Sequence, residues 1–202
     1  MKRLIVATNN SDKMKEINTL LDGCGYKILS LKDAGIDIDI EENGKSFEEN
    51  SLIKARTIHK LTGDMVIADD SGLEIDFLNG APGIYSARFL GYDYVLRNKG
   101  ILALMEGIPQ EYRSARFRCV ASFVTDKLEL TFHGTIEGSI AFEALGDNGF
   151  GYDPIFFVPE YGKTIAQLDS DIKNKISHRG KAFKLLAEKL KSWGIYGQEF
   201  NF

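Results

Sequence analysis

Two adjacent carboxylates, Asp69 and Asp70, end the apolar run Val66-Ile67-Ala68 and are followed by Ser71 and Gly72. A short apolar run bounded by turn formers fits a strand covered on both faces. Ligands in open α/β sheets sit beyond the carboxyl ends of such strands. Two acids there can hold a hard cation, accept a proton, or do both; the plainer reading is a solvated turn. A second group lies near the start of the chain. Leu4-Ile5-Val6-Ala7 reads as a buried strand that runs into Thr8-Asn9-Asn10-Ser11-Asp12-Lys13, and a helical pattern follows with Met14, Ile17, Leu20 and Leu21 on one side. Ser11 or Asp12 is placed to cap that helix. A polar turn between strand and helix gathers backbone N–H groups at the positive end of the helix dipole, which favours a phosphate. Lys13 adds a movable ammonium. Lacking glycine, the turn is not a P-loop.

Further polar groups recur along the chain. Glu41 and Glu42 precede an Asn43-Gly44 turn. Ser46-Phe47-Glu48-Glu49 fits a capping box, and the helix it opens runs to about Leu61. Asn50 and Lys54, four residues apart, share one face of it. The loop Gly149-Phe150-Gly151-Tyr152-Asp153-Pro154 places glycines, which let a ligand come close, around a ring on which a base can stack, with Asp153 as acceptor. Beyond Lys173, Ser177 caps a last helix with His178 and Arg179 in its first turn. Cations there oppose the dipole, which points to an acceptor-rich ligand.

The elements that must position these groups alternate between strands and helices. Residues 26–40 read as strand, turn and strand, and Leu73 to Phe77 alternates like a half-buried strand. Asn79 to Gly83 is a turn cluster. Residues 93–106 read as a helix with Val95, Leu96, Leu102 and Met105 apolar. Period two from Ala115 to Ile140, with a turn at Thr125-Asp126-Lys127, predicts a long hairpin. The last helix carries the stripe Phe183, Leu186, Leu190 and Trp193. At 202 residues, with 44% hydrophobic and 27% charged residues, the chain suits one good core. Without repeats or linkers it is expected to form a single domain, residues 1–202, with two lobes. The net charge of -4 gives no attraction to a polyanion and no nucleic-acid role, so phosphate binding must be local. Cys24 and Cys119 have neither disulfide nor zinc-site spacing. Only four apolar residues follow Lys2-Arg3, too few for a leader or membrane span, and a cytoplasmic location is expected.

Taken together these stretches resemble the inosine triphosphate pyrophosphatases. The resemblance rests on Thr8 to Lys13; Phe47-Glu48-Glu49-Asn50 with Lys54-Ala55; Ala68 to Leu73; Gly80-Ala81-Pro82-Gly83 with Tyr85-Ser86-Ala87-Arg88; Gly149 to Pro154; and Ser177 to Gly180. Asn9 stands where many relatives carry glycine, and Ser51 where alanine often follows the asparagine. The resemblance implies an α/β fold: a mixed twisted sheet flanked by helices in an elongated two-lobed single domain with a central cleft and a long β-hairpin. It also implies a homodimer, dependence on Mg2+, and cleavage of dITP, ITP and XTP to the monophosphate and pyrophosphate.

By position, Thr8, Asn9, Asn10, Ser11, Asp12 and Lys13 would hold the triphosphate. Asp70 would be proton acceptor and metal ligand, Glu41 the second metal ligand, and Ser71 would touch substrate. Phe150, Gly151, Tyr152, Asp153, Lys173, His178 and Arg179 would form the nucleoside pocket, with Lys54 balancing phosphate charge. A pocket of donors from Lys173, His178 and Arg179 would accept the C6 oxygen of hypoxanthine or xanthine and refuse adenine's amino group. The competing readings are a pyrophosphatase for pyrimidine or modified nucleotides and a non-catalytic nucleotide sensor.

Overall fold

The computed structural model describes residues 2–195. Strand β1 (Arg3–Val6) pairs in parallel with β2 (Lys27–Ser30) on one side and β3 (Met65–Ile75) on the other. With β4 (Ser114–Thr125), β5 (Leu128–Ile140), β6 (Phe156–Val158) and β7 (Lys163–Thr164), the sheet runs in the order β2-β1-β3-β4-β5-β6-β7. The pairs β5–β6 and β6–β7 are antiparallel, so the sheet is mixed. The helices are α1 (Ser11–Leu20), α2 (Phe47–Thr62), α3 (Tyr94–Leu104), α4 (Ser170–Ile176) and α5 (His178–Ile195). The expected α/β class and the β4–β5 hairpin are both present.

Contacts divide the chain into two compact units. Among the described residues the first comprises 2–70, 119–134 and 179–195; the second comprises Ser71–Arg118 and Thr135–His178. In the first unit, alternation along β1 sends Leu4 and Val6 to one face and Ile5 and Ala7 to the other. Leu4 and Val6 pack with Ile17, Ile67, Phe123, Phe183, Leu186 and Leu190, so α1 and α5 cover that face. Ile5 and Ala7 pack with Ala55, Ile58, Val66 and Val124 under α2. The second unit has its own core around Leu73, Ile75, Ile101, Met105, Phe117, Ile140 and Phe156.

Four sequence expectations change. First, residues 36–40 form no strand, although Ile36, Ile38 and Ile40 still pack inward. Alternation tells which side chains face a core, but a strand also needs a neighbour for its backbone; here the Asn9 amide reaches the Ile38 carbonyl at 3.4 Å. Second, Asp69 and Asp70 lie within the single strand β3, which continues to Ile75, rather than at a strand's end. Only the pairing with β1 stops just before them, at Val6↔Ile67. Third, α1 is capped by Asn10, whose Oδ1 accepts from the Asp12 and Lys13 amides at 2.9 and 3.0 Å. Ser11 and Asp12 are already helical. Fourth, α3 turns its polar side inward. Val95 and Leu96 are each 62% exposed, whereas Arg97 is 3% and Asn98 6% exposed. Among the described residues, no helix is long and apolar enough to cross a membrane.

Candidate active site

The acids of β3 are buried in the first unit among charges brought by three helices. Asp69 Oδ2 lies 3.0 Å from Lys13 Nζ of α1 and 3.2 Å from Arg179 Nη2 of α5. Arg179 Nη1 also reaches Glu16 Oε2 at 2.7 Å. Lys54 of α2 extends its Nζ to Glu42 Oε2 at 2.8 Å and to Asp70 Oδ1 at 3.5 Å. Burial by itself raises the Asp69 carboxyl, but Lys13, Arg179 and Lys54 outweigh it and hold the group far below the ordinary carboxylate range. For Asp70 the balance reverses. Burial dominates, Lys54 and Lys13 compensate only in part, and the carboxyl is raised. Neighbouring acids are thereby given different proton affinities, the separation that divides a permanent anion from a proton acceptor. Burial also opposes the charge on Lys54, but Asp70, Glu42 and Asp69 overcome it and keep the ammonium charged.

The supports of this cluster come from the backbone upward. Ser46 caps α2 by accepting the Glu49 amide at 3.1 Å, as expected, while Glu49 reaches the Lys45 amide rather than that of the cap. Asn50, one turn before Lys54, accepts the Gly44 amide at 2.8 Å and so fixes the turn after Glu42. A Cβ at Gly44 would lie 2.6 Å from Asn50 Oδ1, which leaves only glycine there. Of the two acids before that turn, Glu41 is exposed and Glu42 is the one carried to Lys54. Behind β3, Ser122 donates to Ser51 at 2.7 Å and Ser51 donates to the Ala68 carbonyl at 3.1 Å, all buried. At the start of α1, Thr8 Oγ1 accepts the Asn10 amide at 3.2 Å. Asn10 Oδ1 occupies two of the N–H groups that the sequence offered to a phosphate, while Ser11 and Asn9 are exposed.

In the second unit the glycine-rich loop is built around an ion pair. The Asp153 carboxylate accepts the Phe150 amide at 2.8 Å and pairs with Lys173 of α4. Lys173 Nζ also stands 4.7 Å from the centre of the Phe150 ring, within cation–π range. Gly149 makes room for this pair, since a Cβ there would meet the Asp153 carboxylate well inside contact distance. Tyr152 is buried, and its hydroxyl donates to the Ser86 carbonyl at 2.9 Å. Burial raises the phenol to about 12, so it stays a neutral donor. Ser86 Oγ accepts the Leu73 amide at 2.9 Å, two residues past the half-buried Ser71. His178 is buried and stacks on Phe117, with centroids 4.6 Å apart and planes at 12°.

Each unit thus gathers its own set of the expected residues. Lys13, Lys54, Asp70 and Arg179 join Asp69 in the first; Phe150, Gly151, Tyr152, Asp153, Lys173 and His178 fall in the second. Two intended base donors already serve carboxylates: Lys173 holds Asp153, and Arg179 uses Nε and Nη2 on Asp69 and Nη1 on Glu16. Sequence reasoning missed Asp69 as the anchor of the cations, together with Glu16, Asn98 and Arg97. Glu16 meets Arg179 across 163 positions of the chain, so local spacing carried no signal for it.

Comparison with known proteins agrees with these clusters in extent. The chain is 50% identical to the dITP/XTP pyrophosphatase of Clostridium perfringens, covering 95% of this chain and 98% of that one. It is 48% identical to the dITP/XTP pyrophosphatase of Desulforamulus reducens over 93% and 95% of the two chains. The structure of a HAM1 protein from Coxiella burnetii superposes with a TM-score of 0.86 at 42% identity, covering 95% of this chain and all (100%) of that one. With the Ham1 family model matching residues 4–189, a span that includes every residue of both clusters, the chain belongs to the Ham1 family.

Proposed function

We propose that the protein hydrolyses non-standard purine nucleoside triphosphates, dITP, ITP and XTP, to the nucleoside monophosphate and pyrophosphate. The observation that carries this reading is the buried array in which Lys13, Lys54 and Arg179 surround Asp69 and Asp70. An acidic chain spends three cations there, Lys54 and Arg179 buried and Lys13 half-buried, the local provision that triphosphate binding requires. The activity named for the relatives supports the substrate class.

In the proposed reaction, water attacks the α-phosphorus, a new P–O bond forms, and the bond to the bridging oxygen breaks as pyrophosphate leaves. Asp70, with its raised proton affinity, takes the water's proton. Asp69 stays ionised and keeps Lys13 and Arg179 in place. Lys13 and Lys54 turn toward the phosphate oxygens, with the exposed Ser11 hydroxyl at the start of α1 beside them. Phe150 stacks on the base in the second unit, with Lys173 and Asp153 behind the ring and His178 held flat on Phe117.

The donor set fits a divalent cation, and we take it to be Mg2+. Glu42 and Asp70 present hard oxygen donors to one ammonium, that of Lys54, a place where a cation competes. Burial of Glu42's neighbour Asp70 and the exposure of Glu41 favour Glu42 as the second ligand. Among the described residues, no group of three His, Cys, Asp or Glu side chains gathers to hold a metal, so phosphate and water would complete the shell. When bound, such an ion neutralises phosphoryl charge and acidifies water. The exposed Tyr92, Val95 and Leu96 offer apolar surface for the second copy of a homodimer.

The test is a nucleotide panel on purified protein with pyrophosphate and orthophosphate measured separately. Pyrophosphate from dITP and XTP, abolished by EDTA, is expected. Orthophosphate release, or no turnover, overturns the reading; preference for dTTP, UTP or dCTP transfers it to pyrimidine nucleotides.

A further inference from the structure

Helix α3 spends polar side chains where a surface helix would bury apolar ones. Tyr94, Arg97 and Asn98 fall at i, i+3 and i+4, a single helix face, and each meets one successive residue of the glycine-rich loop. The Tyr94 ring lies 6.4 Å from that of Phe150, Asn98 Nδ2 donates to the Gly151 carbonyl at 2.9 Å, and the Arg97 guanidinium stands 5.5 Å from the Tyr152 ring centre. Arg97 is fixed in turn by the carbonyls of Ala87 and Gly91. The loop needs such a grip. Gly149 and Gly151 both have positive φ, 75° and 65°, and two glycines in a segment without ladder hydrogen bonds leave much backbone freedom to remove.

Stability alone does not account for the arrangement. Burying Arg97 and Asn98 carries a desolvation cost, while Val95 and Leu96 of the same helix stay in solvent. Among the described residues, Asn98 Oδ1 is buried without a hydrogen-bond partner, a further cost that a smaller side chain would avoid. What the amide gains is the carbonyl of Gly151, the residue that follows Phe150 and precedes Tyr152 and Asp153 in the loop.

We propose that Asn98 is a positioning residue for base recognition: by pinning the Gly151 carbonyl it holds Phe150 and Asp153 at the spacing and tilt a purine requires. The inference rests on the reading that this loop receives the base. Arg97 and Tyr94 hold the residues on either side of the pinned carbonyl.

The experiment begins with the wild type, whose failure to release pyrophosphate from ITP would sink the functional reading itself. With that activity present, Asn98→Ala is expected to raise KM for ITP about three- to tenfold, as loss of one hydrogen bond permits, with kcat within about twofold. The ITP-over-ATP ratio of kcat/KM should fall, and the inhibition constant of inorganic triphosphate should stay unchanged. Asn98→Asp, which turns an acceptor toward the carbonyl, should raise KM further; Asn98→Gln, which keeps the amide, should recover part of the loss. Wild-type KM and an unchanged ratio in Asn98→Ala overturn the proposal, as does an equal fall of kcat on every nucleotide. If the alanine variant does not fold, Asn98→Ser takes its place: a KM no higher than that of Asn98→Gln overturns the proposal equally.

Discussion

In the first unit three cations, Lys13, Lys54 and Arg179, face the carboxylates of Asp69, Asp70, Glu16 and Glu42, whereas in the second the buried pair of Lys173 with Asp153 lies beside an aromatic ring. The first arrangement manages charge. Its cations hold Asp69 ionised, whereas burial, only partly offset by Lys54 and Lys13, raises Asp70. The second manages shape. Its ion pair is consumed in fixing a loop, and the recognition proposed for it is left to a ring plane and a carbonyl. The difference teaches that a buried ion pair has no fixed meaning: redundancy of charge marks chemistry, and a lone saturated pair marks geometry.

The comparison can be broken most forcefully at Asp69. Asp69→Asn leaves Lys13 and Arg179 short of an anion, and a loss of about 3–5 kcal/mol is expected, read as a lower urea midpoint at unchanged m. Asp70→Asn should instead lower kcat by about a hundredfold or more with the fold kept; near-normal turnover would remove Asp70 as proton acceptor. Gly149→Ala drives a methyl group into the Asp153 carboxylate and should cost about 1–3 kcal/mol, with KM for ITP rising more than kcat falls. The smallest effect is on pH. Folding raises the Asp70 pKa, so its stabilising contribution is complete below the ordinary 3.8 and is lost as pH rises through the folded value. In EDTA, Asp70→Asn should therefore melt higher than wild type at pH 8, and the gap should close toward pH 4. A gap that widens in acid would contradict the raised proton affinity.

Much of this was legible in residue order. Continuous apolar runs gave β1 and the first half of β3 because both faces of those strands are covered. Asn50 and Lys54 could be placed on one face by spacing alone. Their burial could not, because it depends on Glu42 and Asp70, which reach Lys54 only after folding. Helix α3 misled the reading for a related reason. Apolar periodicity assigns Arg97 and Asn98 to solvent, yet the carbonyls of Ala87, Gly91 and Gly151 satisfy them inside. The cap of α1 moved to Asn10 because Ser11, Asp12 and Asn10 all favour that position, and only backbone geometry decides among them. The second acid of the turn, Glu42, was likewise indistinguishable from Glu41 until Asn50 fixed Gly44.

The hydroxyl chain behind β3 constrains how this lineage can drift. The Ser122 hydroxyl donates a hydrogen bond to Ser51, and the Ser51 hydroxyl donates one to the Ala68 carbonyl. Removing the oxygen at 51 strands the one at 122 in a dry interior, whereas exchanging both for alanine strands only a carbonyl. Ser122 should therefore not outlast Ser51 in descendants, and a chimera that carries Ser51→Ala but keeps Ser122 should be the frailest of the four combinations.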